Sequence, residues 1–181
     1  MLIQERSVTK YYWLKMYRKL FRKIQAGTYK RVGQTGVLVV TFGTRHRYYV
    51  LTAKEKGHLR PVAWLYLWQK PGWKAWEVMQ VFVFEKLRGQ GLAKKLYSAA
   101  INQDELIVAS GKTHSSHSRG LWRSFVRNGN YSIYAIDYWC LSDRSQVFWN
   151  EGELWSTLDL YQTDPNYQER DVRLIATRKQ T

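Results

Sequence analysis

The stretch from Ala75 to Gln103 limits most severely what this chain can fold into, because its hydrophobic period changes at a pair of glycines. Trp76, Val78, Val81, Phe82, Val83 and Phe84 form a β-branched and aromatic run of strand length, so a buried strand is expected over 76–84. From Gly91 onward, Leu92, Leu96, Ala99 and Ala100 recur at helical spacing, while Lys94, Lys95 and Ser98 take the opposite side. An amphipathic helix is expected there. Between the two, Arg88-Gly89-Gln90-Gly91-Leu92-Ala93 places glycines where the backbone can approach a ligand closely just as the helix begins. The first helical N–H groups have no partner within the helix and sit at its positive end, which suits a pyrophosphate. The plainer alternative is a strand-to-helix turn that uses glycine only for tightness.

Arg88-x-x-Gly91-x-Ala93, directly after a strand and opening a helix, resembles the R/Q-x-x-G-x-G/A signature of the GNAT acyl-CoA N-acyltransferases. Val83-x-x-x-x-Arg88-Gly89-x-Gly91-Leu92-Ala93 is similar to the longer form of that motif, with Glu85 where many members carry proline. The resemblance implies that coenzyme A binds here, with acetyl-CoA the default donor. Its pyrophosphate would rest on Arg88, Gly89, Gln90, Gly91, Leu92, Ala93 and Lys94, and its pantetheine arm along Val81, Phe82 and Val83. A backbone N–H near Val81 to Val83, where GNAT strands splay apart, would donate to the oxyanion. Ser118 falls where the family often has an asparagine contacting coenzyme A.

Acyl transfer to an amine needs the amine neutral, a thioester carbonyl held close to it and a stabilised oxyanion. Glu77 is the candidate general base, because a carboxylate near the start of a buried strand is costly unless it is paired or functional. It stands eleven residues before Arg88, an offset similar to that in histone-acetyltransferase members of the family. Many GNAT enzymes protonate the leaving thiolate from a tyrosine four residues before the glycine ending the later helix. Counting back from Gly129 gives Phe125, which has no proton to donate, so Tyr131, Ser124 or water would have to substitute.

One domain is expected for 181 residues. Nine Trp and thirteen Tyr argue for a packed globule rather than a disordered chain. The net charge of +15 is concentrated: residues 1–60 carry fourteen Lys and Arg against Glu5 and Glu55, a balance of +12, leaving +3 for the remaining 121. Such a field attracts an anionic partner, nucleic acid included. A lone Cys140 excludes an intrachain disulfide and a cysteine-based zinc site and fits a reducing, cytoplasmic setting. The start MLIQERSVTK lacks a signal-peptide core, and no apolar run reaches the roughly eighteen residues of a membrane span.

Along the chain, Met1 to Val8 alternates weakly and is expected as a first strand. Lys10 to Ile24 is expected as a basic amphipathic helix ended by Gly27. Strands are expected over Val37–Phe42, Arg47–Ala53 and Pro61–Trp68, then a crossover of strand, helix and strand from Trp76 to Ser110, with Glu105–Ala109 as its second strand. A helix over Ser118–Asn128, carrying Leu121, Trp122, Phe125 and Val126, and a strand over Tyr131–Tyr138 follow. In the tail, Gln146–Trp149 and Val172–Thr177 read as strands and Glu153–Tyr161 as a short helix. The fold class is α/β (α+β), a GNAT-like mixed, mostly antiparallel central sheet flanked by helices. Residues 1–140 would form the acyl-CoA-binding domain and 141–181 a C-terminal extension packed on it.

His114 and His117 lie in a loop after a strand, where sheet folds place ligands, and are candidates for the acceptor site. No metal is expected there, since neither an acid nor a cysteine is near. Gly111-Lys112-Thr113 is not a P-loop, because Leu106 stands where the first glycine is required. The function implied is acyl-CoA-dependent N-acyl transfer to an anionic or nucleic-acid-associated acceptor, since the positive first third would repel a cationic one. The serine and histidine loop is also similar to that of phage-encoded GNAT-like DNA modifiers of the Mom type. A GNAT-fold nucleic-acid-binding or DNA-base-modifying protein without ordinary acetyltransferase activity is the alternative.

Overall fold

The structure, a computed structural model, describes residues 2–111, 116–137, 146–147 and 172–179. The chain divides into two compact units, Met1–Tyr66 with Gln80–Leu96, and Leu67–Met79 with Tyr97–Thr181.

The first unit opens with a helix, α1 (Leu2–Gln25), followed by strands β1 (Lys30–Val32), β2 (Val37–Thr41), β3 (His46–Glu55), β4 (His58–Gln69) and β5 (Trp76–Val83), the last two continuing into the other unit. The strand expected over Met1 to Val8 is instead the first part of α1. No glycine or proline interrupts the chain before Gly27, and once a helix is nucleated each added residue gains a hydrogen bond. α1 ends where Gly27 takes φ +68°. There Thr28 N–H donates to the Lys23 carbonyl at 2.9 Å and Gly27 N–H to that of Ile24 at 3.1 Å, a Schellman closure that satisfies the last carbonyls.

Leu20 and Ile24 of α1 are buried against Leu38, Val40, Tyr48, Val50 and Trp64, with Trp13, Met16, Tyr17 and Phe82 packed at the edge. The strand residues involved alternate, as one face of a pleated sheet requires. β2 pairs antiparallel with β1 and with β3, from Val37↔Leu51 to Thr41↔Arg47. Within this unit the strand order is β1-β2-β3-β4-β5. β1 is a strand that the sequence pattern alone did not suggest.

In the second unit the order is β5, β6 (Val108–Ala109), β9 (Val172–Arg178), β7 (Tyr131–Asp137) and β8 (Gln146–Val147). β5 and β6 are parallel, joined by a crossover through α2 (Leu92–Ser98), whereas the pairs formed by β9 and β7 are antiparallel. The strand expected over Glu105–Ala109 is shorter than the sequence suggested. α2 runs into a π-helical turn at Ala99–Gln103, and Asp104 and Leu106 donate to the carbonyls of Ala99 and Ala100, which keeps 104–106 out of the ladder. The expected C-terminal strand forms and lies between β6 and β7, with Val108↔Ala176 on one side and Ile133↔Ala176 on the other. α3 (Ser116–Asn128) matches its expected span within two residues. The short helix expected over Glu153–Tyr161 lies outside the described residues, as do Tyr138, Phe148 and Trp149.

Burial pushes the pKa of the Tyr48 and Tyr97 hydroxyls well above the ordinary tyrosine range. Above about pH 10 the unfolded chain releases these protons while the folded one keeps them, so stability is full below that pH and falls above it. Urea midpoints measured from pH 9 to 11.5 should drop. Tyr48→Phe and Tyr97→Phe should each flatten the fall by about 1.4 kcal/mol per pH unit above pH 10. Among the described residues no helix is long and apolar enough to cross a membrane.

Candidate active site

In the first unit, β5 ends at Val83 and a 3-10 turn at Glu85–Leu87 leads into the glycine loop. Phe84 N–H donates to the Val62 carbonyl at 3.1 Å, anchoring the strand end before the loop starts. Phe82 stacks on Trp64 with centroids 4.2 Å apart and leans on Trp13 at 5.3 Å. Val83 offers its carbonyl to Arg88 Nε at 3.4 Å, while the Val81 side chain is 36% exposed. The floor of the loop is thus held by aromatic packing, and its outer side is left to solvent.

Gly89 and Gly91 take φ +80° and +73°, values that a side chain strains to adopt, and a Cβ at either would meet nothing within 4 Å. Arg88, Gly89, Gln90, Gly91 and Lys94 are exposed, and Leu92 and Ala93 are partly so. Lys95 N–H donates to the Gly91 carbonyl at 3.1 Å as the first turn of α2 closes, so the amides of Leu92, Ala93 and Lys94 have no helical acceptor. The corner is an open row of donors at the positive end of a helix.

In the second unit, Glu77 is 8% exposed, and its Oε1 accepts a hydrogen bond from Arg173 Nη1 at 2.8 Å. Arg173, 5% exposed, also donates from Nη1 to the Ser110 carbonyl at 3.2 Å. The Ser110 hydroxyl accepts from Leu174 N–H at 3.0 Å, and Ser110 N–H donates to the Leu174 carbonyl at 2.7 Å. Glu77 is therefore the buried half of an ion pair with a strand 96 residues further along the chain. Sequence reasoning missed Arg173 and Ser110. The available signal was a lone charged residue inside the otherwise apolar run Val172-Arg173-Leu174-Ile175-Ala176, whose members from Arg173 to Ala176 are all buried. The β5–β6 register covers Trp76↔Val108 and Glu77↔Ala109 and goes no further, although β5 continues to Val83.

Phe125 is 2% exposed and packs on Tyr97, Trp122 and Tyr131 with centroids 5.2, 5.6 and 5.0 Å away. The side chain at the usual tyrosine position is a core member of the second unit. Burial pushes the Tyr131 hydroxyl's pKa above the ordinary tyrosine range, and the neighbouring Ser98 and Asn102 side chains oppose the rise. The Ser124 hydroxyl donates to the Leu121 carbonyl at 2.7 Å. His117 is exposed on the first turn of α3, Ser118 follows it, half-buried, and His114 lies outside the described residues. Among the described residues no group of His, Cys, Asp or Glu is placed to hold a metal.

The family model described as Acetyltransferase (GNAT) family matches residues 13–111, more than half of the chain. The chain belongs to that family. Members of the GNAT family use acetyl-CoA as the acyl donor. No curated protein matches the sequence. Similar solved structures include a GNAT-family protein from Bacteroides thetaiotaomicron, 8% identical at a TM-score of 0.40 over 77% of this chain and 65% of that one. Another is the IAA acetyltransferase from Bacillus cereus ATCC 14579, 21% identical at a TM-score of 0.34 over 75% of this chain and 79% of that one. The chain spans just under two thirds of the length of the first of these.

Arg88 to Lys94 thus combine two positive-φ glycines with open space beside them and first-turn amides that have no helical acceptor, features compatible with a bound anion such as a pyrophosphate.

Proposed function

We propose that the protein is an acetyl-CoA-dependent N-acyltransferase whose pyrophosphate cradle is formed by Arg88, Gly89, Gln90, Gly91, Leu92, Ala93 and Lys94. The observation that carries this reading is the place of Arg88-x-x-Gly91-x-Ala93, between the end of β5 and the first turn of α2 and within the residues that the family model matches. When bound, acetyl-CoA supplies a thioester from which the acyl group passes to an amine, the C–N bond forming as the C–S bond breaks. Val81, Phe82 and Val83 line the strand that leads to the cradle, and a backbone N–H among them would donate to negative charge on the carbonyl oxygen.

Glu77 would accept the amine proton. Its Oε1 is engaged by Arg173, so that role falls to Oε2, with Arg173 fixing the rotamer. The Ser124 hydroxyl already donates to the Leu121 carbonyl and Phe125 has no hydroxyl, which favours Tyr131 or solvent as the proton source for the departing thiolate. The acceptor is an amine on an anionic or nucleic-acid-associated molecule, because residues 1–60 carry a balance of +12.

Acetyl-CoA at a hundred times its dissociation constant should stabilise the protein by about 2.7 kcal/mol. The absence of a thermal shift would instead support a GNAT-fold binder without the chemistry. Glu77→Gln should lower kcat by about 10²–10⁴-fold, the range for a lost general base, while the acetyl-CoA shift stays intact. Unchanged turnover would remove Glu77 from the mechanism.

A further inference from the structure

α1 carries Lys15, Arg18, Lys19 and Arg22 at positions i, i+3, i+4 and i+7, so the four share one stripe. All four are exposed, and Leu20 and Ile24 on the opposite side of the helix are buried in the core. No acidic residue occurs between Glu5 and Glu55, so the helix supplies no partner at the neighbouring turns. Among the described residues, ion pairs join Arg60 to Glu55, Arg173 to Glu77 and Arg178 to Glu105, none of them on the stripe. Neighbouring cations on adjacent turns repel one another, and an external polyanion would relieve that repulsion.

We infer that this stripe is a docking surface for the phosphate backbone of nucleic acid, an inference that rests on the anionic-acceptor reading above. Lys15 to Arg22 span about 10 Å of helix, over which a duplex presents roughly six phosphate charges. Docking on a lipid surface is disfavoured, because an interfacial helix must insert its apolar face, and that face of α1 is already buried. Tyr12, 50% exposed and one turn before Lys15, extends the stripe with an aromatic ring that can pack against a sugar or an unpaired base.

The test is fluorescence anisotropy on a labelled random-sequence duplex of about 20 base pairs, titrated at several salt concentrations. The variant Lys15→Gln/Arg18→Gln/Lys19→Gln/Arg22→Gln is compared with Lys30→Gln/Arg31→Gln/Arg45→Gln/Lys54→Gln, which removes the same charge from other exposed positions of the first unit. The stripe variant should lose about three to four from the magnitude of the logarithmic salt slope and at least about tenfold in affinity, while the control stays near wild type. If the quadruple variant does not fold, Arg18→Gln/Arg22→Gln should lose about two from the slope.

Equal losses in stripe and control variants, or no duplex binding by the wild type at 50 mM salt, would overturn the inference. Tighter binding to polyglutamate or to phosphatidylserine vesicles than to the duplex would do the same. The acetyl-CoA thermal shift is read on the same proteins. A shift without duplex binding leaves the acyltransferase reading standing and removes only the docking surface; duplex binding without a shift does the reverse.

Discussion

Arg173→Met is expected to destabilise the second unit by about 3–5 kcal/mol, because it strands the buried carboxylate of Glu77 without its counter-ion. The same change removes a hydrogen bond to the Ser110 carbonyl, leaving that acceptor short of a donor. Replacing both partners, as in Glu77→Leu/Arg173→Met, should recover most of the loss, since two apolar side chains need no pairing. Urea denaturation of the wild type, both single variants and the double variant gives the coupling directly. A cost below about 1 kcal/mol for Arg173→Met would show that water reaches the pair and that it behaves like a surface ion pair. The pair also bears on the role proposed for Glu77: with Oε1 held by Arg173, Oε2 would be the oxygen left to take a proton.

Gly91→Trp is expected to weaken acetyl-CoA binding at least about 100-fold while the fold survives. The backbone there sits at φ +73°, which costs a side-chain-bearing residue about 1–2 kcal/mol, and the new Cβ meets nothing within 4 Å. The penalty to folding is therefore local strain alone, whereas the indole would occupy the space that the proposed cradle gives to the pyrophosphate. Calorimetric titration checks the affinity and a thermal melt checks the fold. Wild-type affinity in this variant would refute the cradle.

The strand, glycine turn and helix from Trp76 to Ser98 were legible because each follows from neighbours within a few residues: a change of period and two glycines free to take positive φ. The same holds for α1 from Lys10 onward, where Trp13, Leu20 and Ile24 recur at helical spacing, and for the hairpin turning at Gly43. Its first turns were misread because eight residues of weak alternation also suit a helix that nothing interrupts. The two-residue length of β6 was hidden too, since it depends on how a π-helical turn draws Asp104 and Leu106 back toward Ala99 and Ala100.

The sequence by itself determined the local elements, the excess of positive charge in the first third and the motif that names the family, all properties of short windows or of composition. Only the tertiary structure decided that Val172–Arg178 lies between β6 and β7, that Glu77 meets Arg173, and that Phe125 is a core side chain among Tyr97, Trp122 and Tyr131. Contacts between residues as far apart as 77 and 173 depend on which chain segments close on one another, and the periodicity of neither segment carries that information.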